Sequence, residues 1–523
     1  MKQALLAALF ILVATSAYAQ NPGTVNVRAF GAKADSVTDD TAAIQAAINA
    51  VDVLGGGTVL FPDGKYLIKN TVVLGSTNTL ANGTGSSVSL VGQSQLGTVF
   101  LWSGSSSGTC FKFNRNRHVS VKNLSIRSLL GRGAYATATV NAGGVRSITV
   151  SDGGTGYTSA PSVTLVSGTG GDGASGAAAT ATVSGGQVTS IPVTAAGTLY
   201  TSAPYVLISS NTATGVLLTG PATGTQSYSV LFEKVLFYGF NIGLQAGEAS
   251  GHAASEITFV GCNFNACVKG AYLTVSNTLN INFYGCVWDH NGYGLYSDNP
   301  NVNVFGGSTG HNGFAFYFPS ASVYSVRGLR SEVDSMFILV GGAGSGATTL
   351  SVSDCLITAP VSLEGVIKGN NAAVTLQGNQ FGSESILMNV SSKASLVMLG
   401  NTVESSASFY IRSNNSGADG LRYSLHDNIR MDGSSLYVSH FADEDGLVVW
   451  PNRTADRVTG RATFASAATK AVSITTRENA SYNVALSGGA NETFWVTSKT
   501  TSGFTLNSSN GASTATVDWA LTR

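Results

Sequence analysis

The sequence predicts an all-β solenoid, a parallel β-helix, and three observations carry that expectation. Between residues 230 and about 430 the chain falls into imperfect repeats of roughly 21–27 residues, and a fixed period of this size means that each unit buries its face only against its neighbours. Each repeat holds an alternating apolar strand, a Gly or Asp, and a second short apolar run; three short runs per repeat fit a β-helix better than a propeller. Composition agrees: 63 of 523 residues are glycine and only 11% are charged, as inward apolar ladders and small-residue turns require. With 43% hydrophobic residues and 28 Lys+Arg balancing 28 Asp+Glu, the chain is neither disordered nor a basic nucleic-acid binder.

The elements follow in chain order. Residues 1–19 read as a signal peptide: a basic start, an apolar run and the small-x-small site Ala17-Tyr18-Ala19, too short for a membrane span. No later segment approaches 18 uninterrupted apolar residues, so the expected product is secreted, without a membrane span. Residues 20–139 should form the N-terminal cap and first coils. There, residues 25–32 read as a short strand ending in a turn, and Asp39-Asp40-Thr41 can cap a helix carrying Ile44, Ala47, Ile48 and Val51 on one face. Gly55-Gly56-Gly57 stops that helix, and residues 58–62 begin the next strand.

This order closely resembles the entrance of secreted right-handed parallel β-helix proteins of the pectate-lyase superfamily. The matching residues are Phe30-Gly31-Ala32, Thr38 to Ala43, Ile44-Gln45-Ala46-Ala47-Ile48 and Gly55 to Pro62. It looks most like the rhamnogalacturonase/epimerase-like group, which includes many phage tailspikes. The resemblance implies a helix that plugs the open end of a right-handed solenoid, with Asp39 and Asp40 as caps rather than catalysts.

Residues 140–212 read as an inserted Gly-rich β-module with an internal duplication, because 145–163 realigns with 188–206 at a constant offset of 43. The shared residues include Ile148/Ile191, Gly154/Gly197, Tyr157/Tyr200 and Pro161/Pro204, and 168–179 reads as a small-residue linker. The repeat is similar to Gly-Tyr-Thr-Ser-Ala-Pro repeats of phage tail and bacterial surface proteins, which implies spacing or binding. Residues 213–452 are the main β-helix. Its strands include 257–259, 281–283, 302–304, 323–326, 350–352, 374–376 and 396–399, followed by the turn residues Gly261, Gly285, Gly306, Gly328, Asp354, Gly378 and Gly400. Residues 456–523 form a small C-terminal β-module. It resembles modules that end phage tail fibres and have lectin-like or trimerising relatives, and its small core favours association as a homotrimer. Trp495 and Trp519 are its candidates for stacking on a sugar or for its core.

Stacked coils bring residues one repeat apart to about 4.8 Å, the inter-strand spacing of a sheet. Aligned on the turn glycines, four residues on stand Asn265, Asp289, Gly310 and Glu332; the next rank is Ala266, His290, His311 and Val333; the next is Cys267, Asn291, Asn312 and Asp334. Asp289 and Glu332 thus flank a side-chain-free gap at Gly310. Two carboxylates so spaced suit acid/base hydrolysis of a glycosidic bond through an intervening water. The catalytic candidates are Asp289, Glu332, Asp334, His290, His311 and Arg330; the substrate-binding candidates are Asn291, Asn312, Arg327 and Trp288. Turn residues on a solvated face are the alternative. Residues 261–340 hold only the carboxylates Asp289, Asp298, Glu332 and Asp334, so chemistry in these coils must draw on those four.

Polygalacturonase motifs (Asn-Thr-Asp, Asp-Asp, His-Gly, Arg-Ile-Lys) are absent from the solenoid, and Trp288-Asp289-His290 is similar to a Trp-x-Asp-His element of one pectate-lyase family with the intervening residue missing. The expected partner is a polysaccharide substrate or glycan ligand, and no cofactor is implied. Three functions stay open: a secreted glycoside hydrolase, a polysaccharide lyase or epimerase on the same face, and a trimeric glycan-binding adhesin of tailspike type. The five cysteines, Cys110, Cys262, Cys267, Cys286 and Cys355, show no Cys-x-x-Cys pair and no metal-ligand spacing with the histidines. They read as small buried hydrophobes; Cys262 and Cys286 stack closely enough to be bridged or to remain reduced.

Overall fold

In the computed structural model, described residues run from 23 to 522 except 76–86, 132, 167–174, 201–202, 210–211, 221–226, 249–253, 275–277, 299–300, 321, 341–347, 359–360, 363–372, 383–385, 391–394, 405–408, 414–421, 431–436, 443–445, 452–457, 474–482, 489–491 and 501. The expected signal peptide, 1–19, lies outside them. The chain is a right-handed parallel β-helix. Each coil lays down two short strands joined by a tight turn and, after a second turn, a third strand on the opposite wall. In one coil these are Ile281–Tyr284, Val287–Asp289 and Tyr293–Ser297; in the next, Val302–Phe305, Ser308–Gly310 and Phe314–Phe318. All pair in parallel with their equivalents one coil away.

Inward residues stack on their counterparts. Phe232, Phe259 and Phe283 form one ladder, with centroids 5.1 and 4.5 Å apart, and Phe237, Phe264 and Trp288 another, at 4.9 and 5.9 Å. Such offset and edge contacts add to the burial that holds the coils together. All five cysteines lie in this interior as free thiols, Cys262 and Cys286 included.

The helix Thr41–Asp52 closes the N-terminal end with Ile44, Ala47, Ile48 and Val51 buried. Its caps differ from expectation. Asp40 occupies the N-cap without a side-chain cap bond; its carboxylate instead accepts the N–H groups of Lys33 and Ala34 at 2.6 and 3.0 Å, tying down the loop before the helix. Asp39 accepts the Thr41 N–H at 3.0 Å. Residues 25–32 also differ: the strand stops at Asn26, and Val27–Phe30 forms a short 3-10 turn closed by Gly31 at φ 97°.

The inserted module leaves the solenoid ladder unbroken, because Thr214–Thr219 pairs with Thr109–Asn114 and Ser227–Tyr238 with Arg117–Ser128 across it. Its sheet is antiparallel and joins Tyr135–Asn141, Gly144–Asp152, Val163–Val166 and Tyr205–Ile208; antiparallel pairing therefore begins at Tyr135. The stretch read as a linker is part strand, since Ser175–Ala179 pairs with Val193–Thr198. The C-terminal module packs Phe464, Phe504, Leu506 and Trp519 into its own core, while Trp495 is 45% exposed.

Candidate functional site

The second turn of each coil explains which side chains reach solvent. Strand alternation puts Trp288 inward and Asp289 outward; His290 then adopts the left-handed conformation, φ 55°, and the next residue, Asn291, points inward again. The left-handed residue inserts one extra outward position, so Asp289 and His290 both face solvent. His311 and Val333 repeat this at φ 55° and 56°. Non-glycine residues seldom adopt this conformation, which Asn, Asp and His tolerate better than most.

Register assembles the cluster. Asp289 pairs with Asn265 on one side and Gly310 on the other, and Gly310 pairs with Glu332. The His290 and His311 rings stack with centroids 4.5 Å apart, 19° from parallel. Asp289 Oδ1 meets His290 Nδ1 at 2.9 Å and His311 Nδ1 at 3.2 Å, and these side chains are one-third to one-half exposed. Asp289 Oδ2 accepts from Asn265 Nδ2 at 3.3 Å. Glu332 forms an ion pair with Arg330, two residues back on the same outward face. A Cβ at Gly310 would stand 3.5 Å from Asp289 Oδ1, so glycine there keeps the space between the two carboxylates open.

Five of the expected site residues lie elsewhere, four of them in the interior. Trp288 is fully buried at the end of its aromatic ladder and cannot touch a substrate. Asn291, Asn312 and Asp334 are also interior, at 1, 0 and 5% exposure. They form a hydrogen-bonded ladder behind the second turn: Cys267 N–H donates to Asn291 Oδ1, Asn291 N–H to Asn312 Oδ1 and Asn312 N–H to Asp334 Oδ1, at 3.0, 3.0 and 2.9 Å. The amides of Asn291 and Asn312 donate in turn to the Phe264 and Trp288 carbonyls. Thr309 and Ser331 hydroxyls donate to Asp334 Oδ2, and burial nonetheless pushes its pKa above the ordinary carboxylate range. These residues hold the turn that displays the histidines. Arg327 is exposed beside the first turn and pairs with Asp354 at 3.2 Å, apart from the histidine cluster.

The inserted module supplies what the repeat pattern does not reveal. Tyr205 packs its ring edge-on to Phe314 at 5.0 Å and lies so close over Gly313 that a Cβ there would overlap it. Leu207 covers Gly292, and the Tyr135 hydroxyl reaches Ser335 Oγ at 3.5 Å. The module therefore walls the second turn, and a cleft between the two is lined by Tyr135, Asp152, Leu207, Val268 and His290. Glycine immediately after the Asn ladder, at Gly292 and Gly313, is the sequence signal for this close approach. Lys269, one coil before Tyr293, lies 3.7 and 4.2 Å over the Tyr272 and Tyr296 rings, and burial lowers its pKa to about 8. Among the described residues, no helix is long and apolar enough to cross a membrane.

Known proteins share parts of this chain. A 43-residue stretch, 8% of the chain, is 60% identical to mannuronan C5-epimerase AlgE1 of Azotobacter vinelandii and spans 3% of that protein. A 53-residue stretch, 10% of the chain, is 49% identical to plasmin and fibronectin-binding protein A of Streptococcus pneumoniae, covering 7% of it. Tailspike protein gp49 of Acinetobacter baumannii bacteriophage Fri1, a capsular polysaccharide depolymerase, aligns over 96% of this chain and 86% of its own, with TM-score 0.40 and 13% identity. Residues 24–288, just over half of the chain, match the family described as rhamnogalacturonase A/epimerase, pectate lyase-like. The match ends one residue before Asp289, so Asp289, His290, His311 and Glu332 all lie outside it. The chain belongs to the rhamnogalacturonase A/epimerase, pectate lyase-like family.

Proposed function

We propose that this protein is a secreted polysaccharide-active enzyme that hydrolyses glycosidic bonds on the face carrying Asp289, His290, His311 and Glu332. One observation carries the proposal: Asp289 and Glu332 occupy one outward rank, separated by the side-chain-free rung Gly310. Two rungs of about 4.8 Å put their backbones about 10 Å apart. That leaves room for a sugar and a water between the carboxyl groups, as inverting hydrolysis needs. In this reading Asp289, with the two imidazoles beside it, is the acid toward the leaving oxygen, and Glu332, paired with Arg330, is the base that activates water. Proton abstraction by an Asp289-oriented imidazole, the lyase or epimerase route, is the second chemistry this arrangement supports. It also needs a cation free to neutralise a uronate, whereas Arg330 is already paired with Glu332. Retention of glycans without cleavage, by a homotrimer, is a further reading favoured by the exposed Trp495.

Incubation of the purified protein with pectin, alginate and bacterial capsular polysaccharides tests the proposal. New reducing ends without unsaturated uronate are expected, and Asp289→Asn and Glu332→Gln should each lower the rate at least about 100-fold while the fold persists. Unsaturated product would move the assignment to a lyase. Full activity in both variants would remove these residues from the chemistry.

A further inference from the structure

The same turn carries a second chemistry. Asp289, His290 and His311 each offer one ligand atom, and the three atoms all lie within 4.8 Å of one another. Both imidazoles direct Nδ1 at the same carboxylate oxygen, at 2.9 and 3.2 Å. Ligands about 2.0–2.2 Å from a tetrahedral zinc ion stand about 3.3 Å from each other, so two edges of this triangle are already close to those of a coordinated ion. The other carboxylate oxygen is held by Asn265 Nδ2 at 3.3 Å, the kind of outer contact that orients a ligating carboxylate. Backbone features make the geometry repeatable: the two left-handed turns have the same φ, 55°, and the N–H after each is held from behind by a buried side chain of the ladder, Asn312 for the first and Asp334 for the second. Two nitrogens and one oxygen on an exposed face leave at least one coordination position for water or a ligand. The donor set suits zinc-class ions and not calcium or magnesium, which take oxygen ligands.

We infer that Asp289, His290 and His311 form a binding site for one divalent transition-metal ion of the zinc class. The site uses the side chains of the proposed reaction but does not depend on that reaction, because binding is measured without substrate. No sequence motif announces it: the ligands come from two coils 21 residues apart, and only the solenoid register makes them neighbours.

The test is titration of the full-length protein, freed of metal by chelation and dialysis, with Zn²⁺ by calorimetry and with Co²⁺ by visible absorbance. One ion per chain is expected, with the absorbance bands of nitrogen-ligated, low-coordinate cobalt. His290→Asn and His311→Asn should each weaken binding at least tenfold, and the double variant should abolish it. Asparagine accepts the left-handed backbone, so circular dichroism and melting should be unchanged, and His118→Asn serves as the control that leaves binding intact. Absence of Zn²⁺ binding at micromolar concentrations, unaltered binding in the double variant, or tighter binding of Ca²⁺ than of Zn²⁺ would each overturn the inference. Zinc binding without polysaccharide cleavage would discard the hydrolytic proposal alone; cleavage without zinc binding would discard this one alone.

Discussion

Each coil of the solenoid bends twice, and the two bends use one backbone conformation for different ends. At the first turn the left-handed position is glycine in Gly261, Gly285, Gly306 and Gly328, with φ from 57° to 65°. At the second turn of the same coils it is Ala266, His290, His311 and Val333, at 54–56°. The residue that follows points inward in both cases. At the first turn it is Cys262, Cys286 and Leu329, with the side-chain-free Gly307 between the last two; at the second it is Cys267, Asn291, Asn312 and Asp334. Where an outward histidine is displayed, therefore, a buried amide ladder replaces apolar filling. In later coils the ladder crosses to the first turn, as Asn379, Asn401 and Asn428, and there the outward positions are Gly378, Gly400 and Asp427. A left-handed turn by itself is only geometry. One that forgoes glycine and is braced by hydrogen bonds is a platform for side chains.

Loss of the buried amide brace should have the largest effect on the second turn. Asn312→Leu places at the second turn the residue type the first turn tolerates as Leu329. It removes the Asn312 partner of the Asn291 N–H, of one Asn291 amide hydrogen and of the Trp288 carbonyl, bonds of 2.8–3.0 Å. Each unsatisfied buried polar group costs about 1–3 kcal/mol, so denaturant melts should show a loss of at least about 3 kcal/mol. A loss below about 1 kcal/mol would make the ladder ornamental.

A smaller, pH-dependent effect sharpens the point at the end of the ladder. Burial raises the Asp334 pKa in the folded chain, so the folded state holds that proton more tightly than the unfolded state does. The resulting stability is present below the ordinary carboxylate value and is lost as pH rises through the raised folded value. Asp334→Asn completes the ladder without a titrating group. Its melting temperature relative to the native chain should climb from acid to neutral pH and then level off. A difference independent of pH would show that Asp334 is not penalised by ionisation.

The smallest effect separates the two left-handed positions directly. No atom lies within 4 Å of a Cβ built on Gly285, so Gly285→Ala meets only the intrinsic left-handed penalty, about 1 kcal/mol. His290→Asn should change stability by less than about 0.5 kcal/mol, since asparagine suits that backbone, yet it removes an imidazole from the cluster. If Gly285→Ala is silent and His290→Asn strongly destabilising, the histidines are structural and the two turns do not divide the labour as described.

Much of the solenoid was legible in the sequence because in a β-helix the neighbour in space is the residue one period away. The expected turn residues Gly261, Gly285, Gly306, Gly328, Asp354, Gly378 and Gly400 all stand at turns, in the left-handed conformation, and the rank Asp289, Gly310, Glu332 follows from counting along the repeat. Direction was less legible. Strand alternation already turns Trp288 inward, and Asn291, Asn312 and Asp334 look like candidates for the site until the left-handed residue before each shifts the in–out alternation by one and turns them inward too.

Sequence alone determined the fold family and the residues that stack on one another, because both follow from a local period and from turn chemistry. Tertiary structure decided which of those residues face water, how two imidazoles converge on one oxygen of Asp289, and that the inserted module folds back over the second turn. Tyr205 and Gly313 are 108 positions apart with no period connecting them; only the packing of an aromatic ring onto a bare backbone brings them together.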